Sequence, residues 1–203
     1  MHLWLARHGL TDWNLTRQFQ GQTDTPLNDK GEKQAAALAQ RLAGEKLDHI
    51  YSSDLQRAYK TAQAVAKFHQ CPLEEDPRLR ELAFGKCEGL TFKQIQRQYP
   101  KALDEWLEIP TENSPPGGES LAQMAARLAS LMDHLLYKHD QRSILLVAHG
   151  GVIQVLLCLA LGLSAASYWQ FSISQVSLCE LHFYPQGAII KRINDTCHLG
   201  DER

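Results

Sequence analysis

The stretch that decides the architecture is Ser143-Ile144-Leu145-Leu146-Val147-Ala148-His149-Gly150-Gly151-Val152-Ile153-Gln154-Val155-Leu156-Leu157. From Ile144 to Leu163 the chain carries no formal charge, and the run is long enough to cross a bilayer. His149-Gly150-Gly151 breaks it, however, and Gln154 follows. An apolar run, a small-residue break and a second apolar run fit a buried strand, Ser143 to Ala148, turning into a core helix, Val152 to Leu161. The same stretch therefore argues for a soluble α/β chain rather than a membrane span.

The pattern repeats outward from this unit. His2 to Ala6 reads as a short buried strand, and Asp48 to Tyr51 as another. Asn28 to Ala43 reads as a helix, with Ala35, Leu38, Ala39 and Leu42 at helical spacing. Ser53 or Asp54 is placed to cap a helix whose inward face is Leu55, Ala58, Ala62 and Val65. Thr91 to Leu107 is helical with a break at Pro100, and Pro115-Pro116-Gly117-Gly118 is a stronger break. The longest amphipathic helix then carries Leu121, Met124, Leu128, Leu131, Met132 and Leu135 on one stripe. Ile173 to Tyr184 and Ala188 to Asn194, separated by Pro185-Gln186-Gly187, read as a closing hairpin. Alternating strands and helices predict a three-layer α/β/α sandwich around a mainly parallel mixed sheet. Residues 1–203 are expected to form one domain, with an excursion over the site at about 72–118.

Composition narrows the function classes. An apolar share of 44% and a charged share of 22% are those of an ordinary globular chain, against disorder. The charge, 21 basic against 23 acidic residues, is −2, so no bulk attraction to nucleic acid or an anionic membrane is expected. Any anion must be held by a local cluster. The five cysteines are odd in number and widely spaced, which fits reduced thiols in the cytoplasm rather than a disulfide framework or zinc ribbon. The apolar run after Met1 is too short for a signal peptide.

In an open α/β sheet, ligands bind beyond the carboxyl ends of the strands. Three predicted strands end in chemistry-bearing residues: Arg7-His8-Gly9, Ser52-Ser53-Asp54 with Arg57 one turn later, and His149-Gly150-Gly151. If these strands are neighbours, two imidazoles and two guanidiniums converge. Guanidinium forks suit phosphate oxygens, and helix N-terminal amides favour an anion. A lone histidine at a strand end is better read as structural; two His-Gly pairs in matching contexts reverse that reading. His134 and His139 are five apart and share no helical face, so they do not suggest a metal site.

These blocks identify a resemblance. Leu5-Ala6-Arg7-His8-Gly9-Leu10-Thr11-Asp12-Trp13-Asn14, Gln20-Gly21-Gln22-Thr23-Asp24-Thr25-Pro26-Leu27, Tyr51-Ser52-Ser53-Asp54-Leu55-Gln56-Arg57-Ala58, Arg80-Glu81-Leu82-Ala83-Phe84-Gly85 and Val147 to Gly151 resemble, in order, the histidine phosphatase superfamily, phosphoglycerate mutase-like branch. The resemblance implies that His8 is a nucleophile passing through phosphohistidine. It implies that Arg7, Arg57 and His149 hold the phosphoryl group with Asn14 and Gly150, and that Gln20, Gly21 and Thr23 contribute to substrate binding. Glu81 matches the carboxyl group that protonates the leaving oxygen, with Glu88 its nearest rival. No metal and no cofactor are implied; the partner is a small phosphorylated metabolite, and the chain is expected as a monomer or homodimer.

Departures favour hydrolysis over mutase chemistry. Glu81 is followed by Leu82 where the mutases carry an arginine, and the chain is short for a lid. Phe84-Gly85-Lys86-Cys87-Glu88-Gly89, Pro116-Gly117-Gly118-Glu119-Ser120-Leu121 and Asn194-Asp195-Thr196-Cys197-His198-Leu199 are similar to α-ribazole phosphatases of cobalamin synthesis, and also to broad-specificity relatives. Phe92, Tyr99 and Trp106 are the candidates for an aromatic wall facing the leaving group. Two other readings, a non-catalytic phosphate-binding relic and a nucleic-acid-binding domain, are opposed by the presence of both His8 and Glu81 and by the balanced charge.

Overall fold

The computed structural model describes the backbone of residues 1–202 and the side chains of residues 1–200. Six strands form one mixed sheet: β1 (His2–Arg7), β2 (His49–Ser52), β3 (Leu73–Glu75), β4 (Ser143–Ala148), β5 (Leu178–Tyr184) and β6 (Gly187–Asp195), in the order β3-β2-β4-β1-β5-β6. The pairs β3-β2, β2-β4 and β4-β1 are parallel, whereas β1-β5 and β5-β6 are antiparallel. Alternation along β1 sends Leu3 and Leu5 to one core, Trp4 and Ala6 to the other. The second core is closed by α2 (Asp29–Leu42) and α3 (Gln56–Ala66). The first is closed by α6 (Leu121–Lys138) and α7 (Gly150–Ala160). This is the expected three-layer sandwich.

The helices form where capping and periodicity place them. The Asn28 side chain accepts from the Gly31 amide at 2.9 Å, and α2 buries Ala35, Leu38, Ala39 and Leu42. Ser120 and Gln123 close a capping box on α6, which buries the six apolar residues of the predicted stripe. Pro100 divides α4 (Phe92–Gln98) from α5 (Pro100–Glu108). A short α1 (Asp12–Leu15) follows β1 and is boxed by Thr11 and Asn14.

Three expectations are corrected. Neither Ser53 nor Asp54 caps α3: Leu55 is the N-cap, the first helical amide, on Gln56, donates to Asp24 at 2.7 Å, and the Asp54 carboxylate pairs with Arg80. The last hairpin is shorter at its start, because Val176 takes a left-handed backbone (φ 47°) that breaks the ladder before Leu178. Leu73-Glu74-Glu75, too short for a periodic signal, pairs with β2 as the edge strand. The excursion therefore leaves the sheet after Glu75, and its Leu79, Leu82, Ile95, Leu103 and Trp106 enter the core shared with α6 and α7. Among the described residues no helix is long and apolar enough to cross a membrane.

Candidate active site

The register of β1 against β4 pairs Arg7 with Ala148, so the residues that follow, His8 and His149, leave the sheet side by side. The His8 amide donates to the Ala148 carbonyl at 3.0 Å, and the two imidazole centroids lie 5.1 Å apart, edge to face. Both rings are buried. His8 Nδ1 lies 2.7 Å from the Gly9 carbonyl, which can only accept, so Nδ1 carries the proton and Nε2 presents its lone pair. Burial, then the charges of Arg57 and Arg7, hold the His8 pKa well below its ordinary value, and His149 is shifted the same way by burial and Arg57. The result is a neutral, oriented imidazole beside fixed cations.

Arg57 is fully buried in the first turn of α3. Its Nη2 donates to the Gly21 carbonyl at 2.7 Å and its Nη1 to the Thr23 carbonyl at 2.8 Å. Burial pushes its pKa down to about 10, with Glu81, Asp24 and Glu88 opposing, so it remains cationic at neutrality. Arg7 donates to the Ile173 carbonyl at 2.7 Å and lies against Gly150, where an added Cβ would meet its Cζ at 3.5 Å. Burial lowers its pKa too, against Glu81. Arg7 Nε, Arg57 Nε and both His149 ring nitrogens are buried without a hydrogen-bond partner in the chain. Each unpaired buried polar atom costs about 1–3 kcal/mol. Their convergence beside the N-terminus of α7 is a cradle for an oxyanion.

The remaining predicted residues divide. Asn14 lines the cavity, its Oδ1 fixed by the Thr11 amide at 3.1 Å. Gln20 lines it as well, its Oε1 accepting from the hydroxyls of Thr11 (3.0 Å) and Thr25 (2.6 Å). Gly21 lines it with φ 53°, and an added Cβ would lie 2.1 Å from Glu88 Oε1. Thr23 does not reach the cavity: its carbonyl serves Arg57, and its hydroxyl donates to Glu88. Glu88 is thereby engaged in the loop rather than facing the cavity. Its carboxylate also accepts the amides of Gln22 (3.0 Å) and Phe84 (3.1 Å), clamping the 21–23 loop. Glu81 lines the cavity with His8; it accepts from the Leu82 amide at 2.9 Å and the Gly151 amide at 3.1 Å.

The cavity holding these groups measures about 270 Å³. A second, of about 170 Å³, adjoins it through Phe19, Glu81 and Phe84 and is walled by Trp106, Met124 and Tyr168. Phe19, Phe84 and Trp106 meet edge to face, with centroids 4.9–6.2 Å apart. Glu81 thus stands between the cationic cradle and an apolar chamber. Of the three aromatic residues expected there, Trp106 is present. Tyr99 packs on the core without lining either cavity, and Phe92 is exposed. Sequence reasoning missed Trp13, Arg17, Phe19 and Tyr168 as lining residues. The position of Trp13 inside a matched block, and of Arg17 and Phe19 between two of them, was the available signal, whereas Tyr168 had none. A larger concavity, about 670 Å³ between α2 and α3, is lined by Glu32, Lys60, Gln63 and Lys67 and by no histidine or cysteine.

Comparison with known proteins agrees with this geometry. The family model described as the histidine phosphatase superfamily (branch 1) matches residues 3–196. Phosphoserine phosphatase 1 of Hydrogenobacter thermophilus is 32% identical over 197 residues, 97% of this chain and 93% of that one. Among solved structures, YhfR of Bacillus stearothermophilus superposes with a TM-score of 0.90 at 30% identity, covering 98% of both chains. The α-ribazole phosphatase of Shigella flexneri gives 0.90 at 28%, covering 96% of both.

Proposed function

The chain belongs to the histidine phosphatase superfamily, whose members are phosphatases or mutases with a histidine nucleophile, and on that premise we propose that it hydrolyses phosphomonoesters with His8 as nucleophile and Glu81 as acid and base. One observation carries the reading: a buried, neutral His8 with Nε2 free, ringed by unpartnered donors of Arg7, Arg57 and His149.

His8 Nε2 attacks phosphorus as the bond to the leaving oxygen breaks, and Glu81 gives that oxygen its proton. The charge spread over the equatorial oxygens meets the guanidiniums, His149 and the Gly150 amide, which need no reorganisation. Nδ1 keeps its proton on the Gly9 carbonyl, so the phosphorylated ring is cationic and departs readily from phosphorus. Glu81, now ionised, takes a proton from water; the water oxygen bonds to phosphorus, the P–N bond breaks, and phosphate and neutral His8 remain.

For the substrate, the reading is a small metabolite with an aromatic or nucleoside-like leaving group, α-ribazole 5′-phosphate first among them. The chamber of Phe19, Phe84, Trp106 and Tyr168 next to Glu81 supports this, as does the likeness to an α-ribazole phosphatase. The alternative is a broad-specificity phosphatase or a mutase-like enzyme on small phosphorylated metabolites, favoured by the phosphoserine phosphatase likeness. Phosphate release from α-ribazole 5′-phosphate, phosphoserine, 3-phosphoglycerate and sugar phosphates tests both. The first substrate should lead in kcat/KM; equal rates across the panel would replace it by the broad-specificity reading. No release from any of them, or from a chromogenic aryl phosphate, would overturn hydrolysis.

A further inference from the structure

At the opposite end of β1 from His8, three side chains of metal-binding type meet on one face of the sheet. His2 and His182 are register partners across the antiparallel β1-β5 pair, and Glu180 stands opposite Trp4. His2 Nε2 lies 3.3 Å from Glu180 Oε1, and His182 Nε2 lies 3.1 Å from the same oxygen. All three candidate donor atoms fall within 4.8 Å of one another. A tetrahedral zinc with bonds of about 2.0–2.1 Å has donor-to-donor edges of about 3.3–3.4 Å, close to both measured separations.

We propose that His2, Glu180 and His182 form a Zn²⁺ site that clips β1 to β5. Supporting contacts orient the donors. His2 Nδ1 is 3.4 Å from the Ser143 hydroxyl, which turns Nε2 toward the carboxylate. Arg192 Nε donates to Glu180 Oε2 at 2.9 Å, leaving Oε1 for the ion. His2 Nε2 is buried, with the Glu180 carboxylate 3.3 Å away. Two imidazoles and one carboxylate are a zinc donor set, with a fourth position left to water. The bland alternative is a His-Glu-His ion-pair cluster that binds no metal. From His2 to His8 the strand spans about 20 Å, so the clip acts on stability and not on the reacting atoms.

The test uses the full chain, without a polyhistidine tag and stripped by chelator, titrated with ZnCl₂ by calorimetry and by thermal melting. One equivalent should bind. At free Zn²⁺ about 100 times the dissociation constant, the melting temperature should rise by about 5–10 °C. His182→Ala and Glu180→Gln should each weaken binding at least about tenfold, whereas His149→Ala should leave it unchanged. Melting of the metal-free variants shows whether they fold. Should either fail, His2→Gln replaces it. Absence of binding to the parent at 100 µM Zn²⁺, set here as about the weakest useful affinity, would overturn the site. So would binding that survives in the His182 and Glu180 variants but disappears in His149→Ala, which would place the ion at the catalytic pocket.

Discussion

Gly151 holds Glu81 from beneath: its amide donates to Glu81 Oε2 at 3.1 Å, and an added Cβ would lie 2.5 Å from Glu81 Oε1. The second residue of α7 thus sets the position of the carboxyl group proposed to handle the proton. Gly151→Ala should separate stability from activity. Alanine favours the helix by about 1 kcal/mol over glycine, so thermal stability should hold or rise. Glu81, forced to move, should lose up to about 10²-fold in kcat. Melting curves and kinetics on one preparation check this; unchanged kcat would mean that the carboxylate position is not critical.

Glu81→Gln should slow alkyl phosphates far more than an aryl phosphate whose phenol leaves unaided. Loss of a general acid costs about 10²–10⁴-fold. The comparison is made on the pre-steady-state burst, because in the proposed mechanism the same group also serves water attack. Equal slowing of the burst for both substrates would assign Glu81 to positioning only.

Stability should fall with acid in a particular window. His8 and His149 are held neutral in the fold, with pKa values depressed below the ordinary 6.5 by burial and by Arg57. Below pH 6.5 the unfolded chain binds protons that these rings refuse. Their contribution is therefore complete above 6.5 and is lost as pH falls toward the folded pKa values. Each ring adds a slope of up to about 1.4 kcal/mol per pH unit. Urea unfolding at pH 7.5, 6.0 and 5.0 measures it, and His149→Ala should flatten the curve. An unaltered curve in that variant would place the acid sensitivity elsewhere.

Arg57→Lys should be far from conservative. One ammonium cannot serve the Gly21 and Thr23 carbonyls while also facing the phosphoryl site. We expect a loss of about 1.5–3 kcal/mol in stability from the broken charged hydrogen bonds, together with a fall in kcat/KM. Wild-type activity in the variant would remove Arg57 from the cradle.

Trp106→Leu should act on specificity. Opening the wall of the apolar chamber should raise KM for aryl and nucleoside phosphates by about tenfold, the lower end of what one buried methylene is worth. Phosphoserine, too small to reach that wall, should change little. Parallel changes for both would show that the chamber does not receive the leaving group.

Much of this was legible along the chain because it is local. Helical spacing marked the apolar buried positions of α2 and α6. Strand-then-glycine breaks marked Arg7-His8 and His149 as strand-end residues, and the ordered motifs carried the family resemblance. Other features depended on partners far away in sequence. Glu81 and Glu88 are two carboxylates in one loop; only the Thr23, Gln22 and Phe84 contacts show that Glu88 is spent as a clamp. Phe92 and Trp106 look alike as apolar residues on neighbouring short helices. The direction in which each helix faces the core exposes one and walls the chamber with the other. Periodicity is an energy between residues a turn or two apart, so the sequence alone determined the layers and set His8 and His149 at strand ends. Register and side-chain pairing are energies between residues brought together by folding. Tertiary structure alone therefore decided that His8 meets His149, that Glu81 rests on Gly151, and that His2 meets Glu180 and His182.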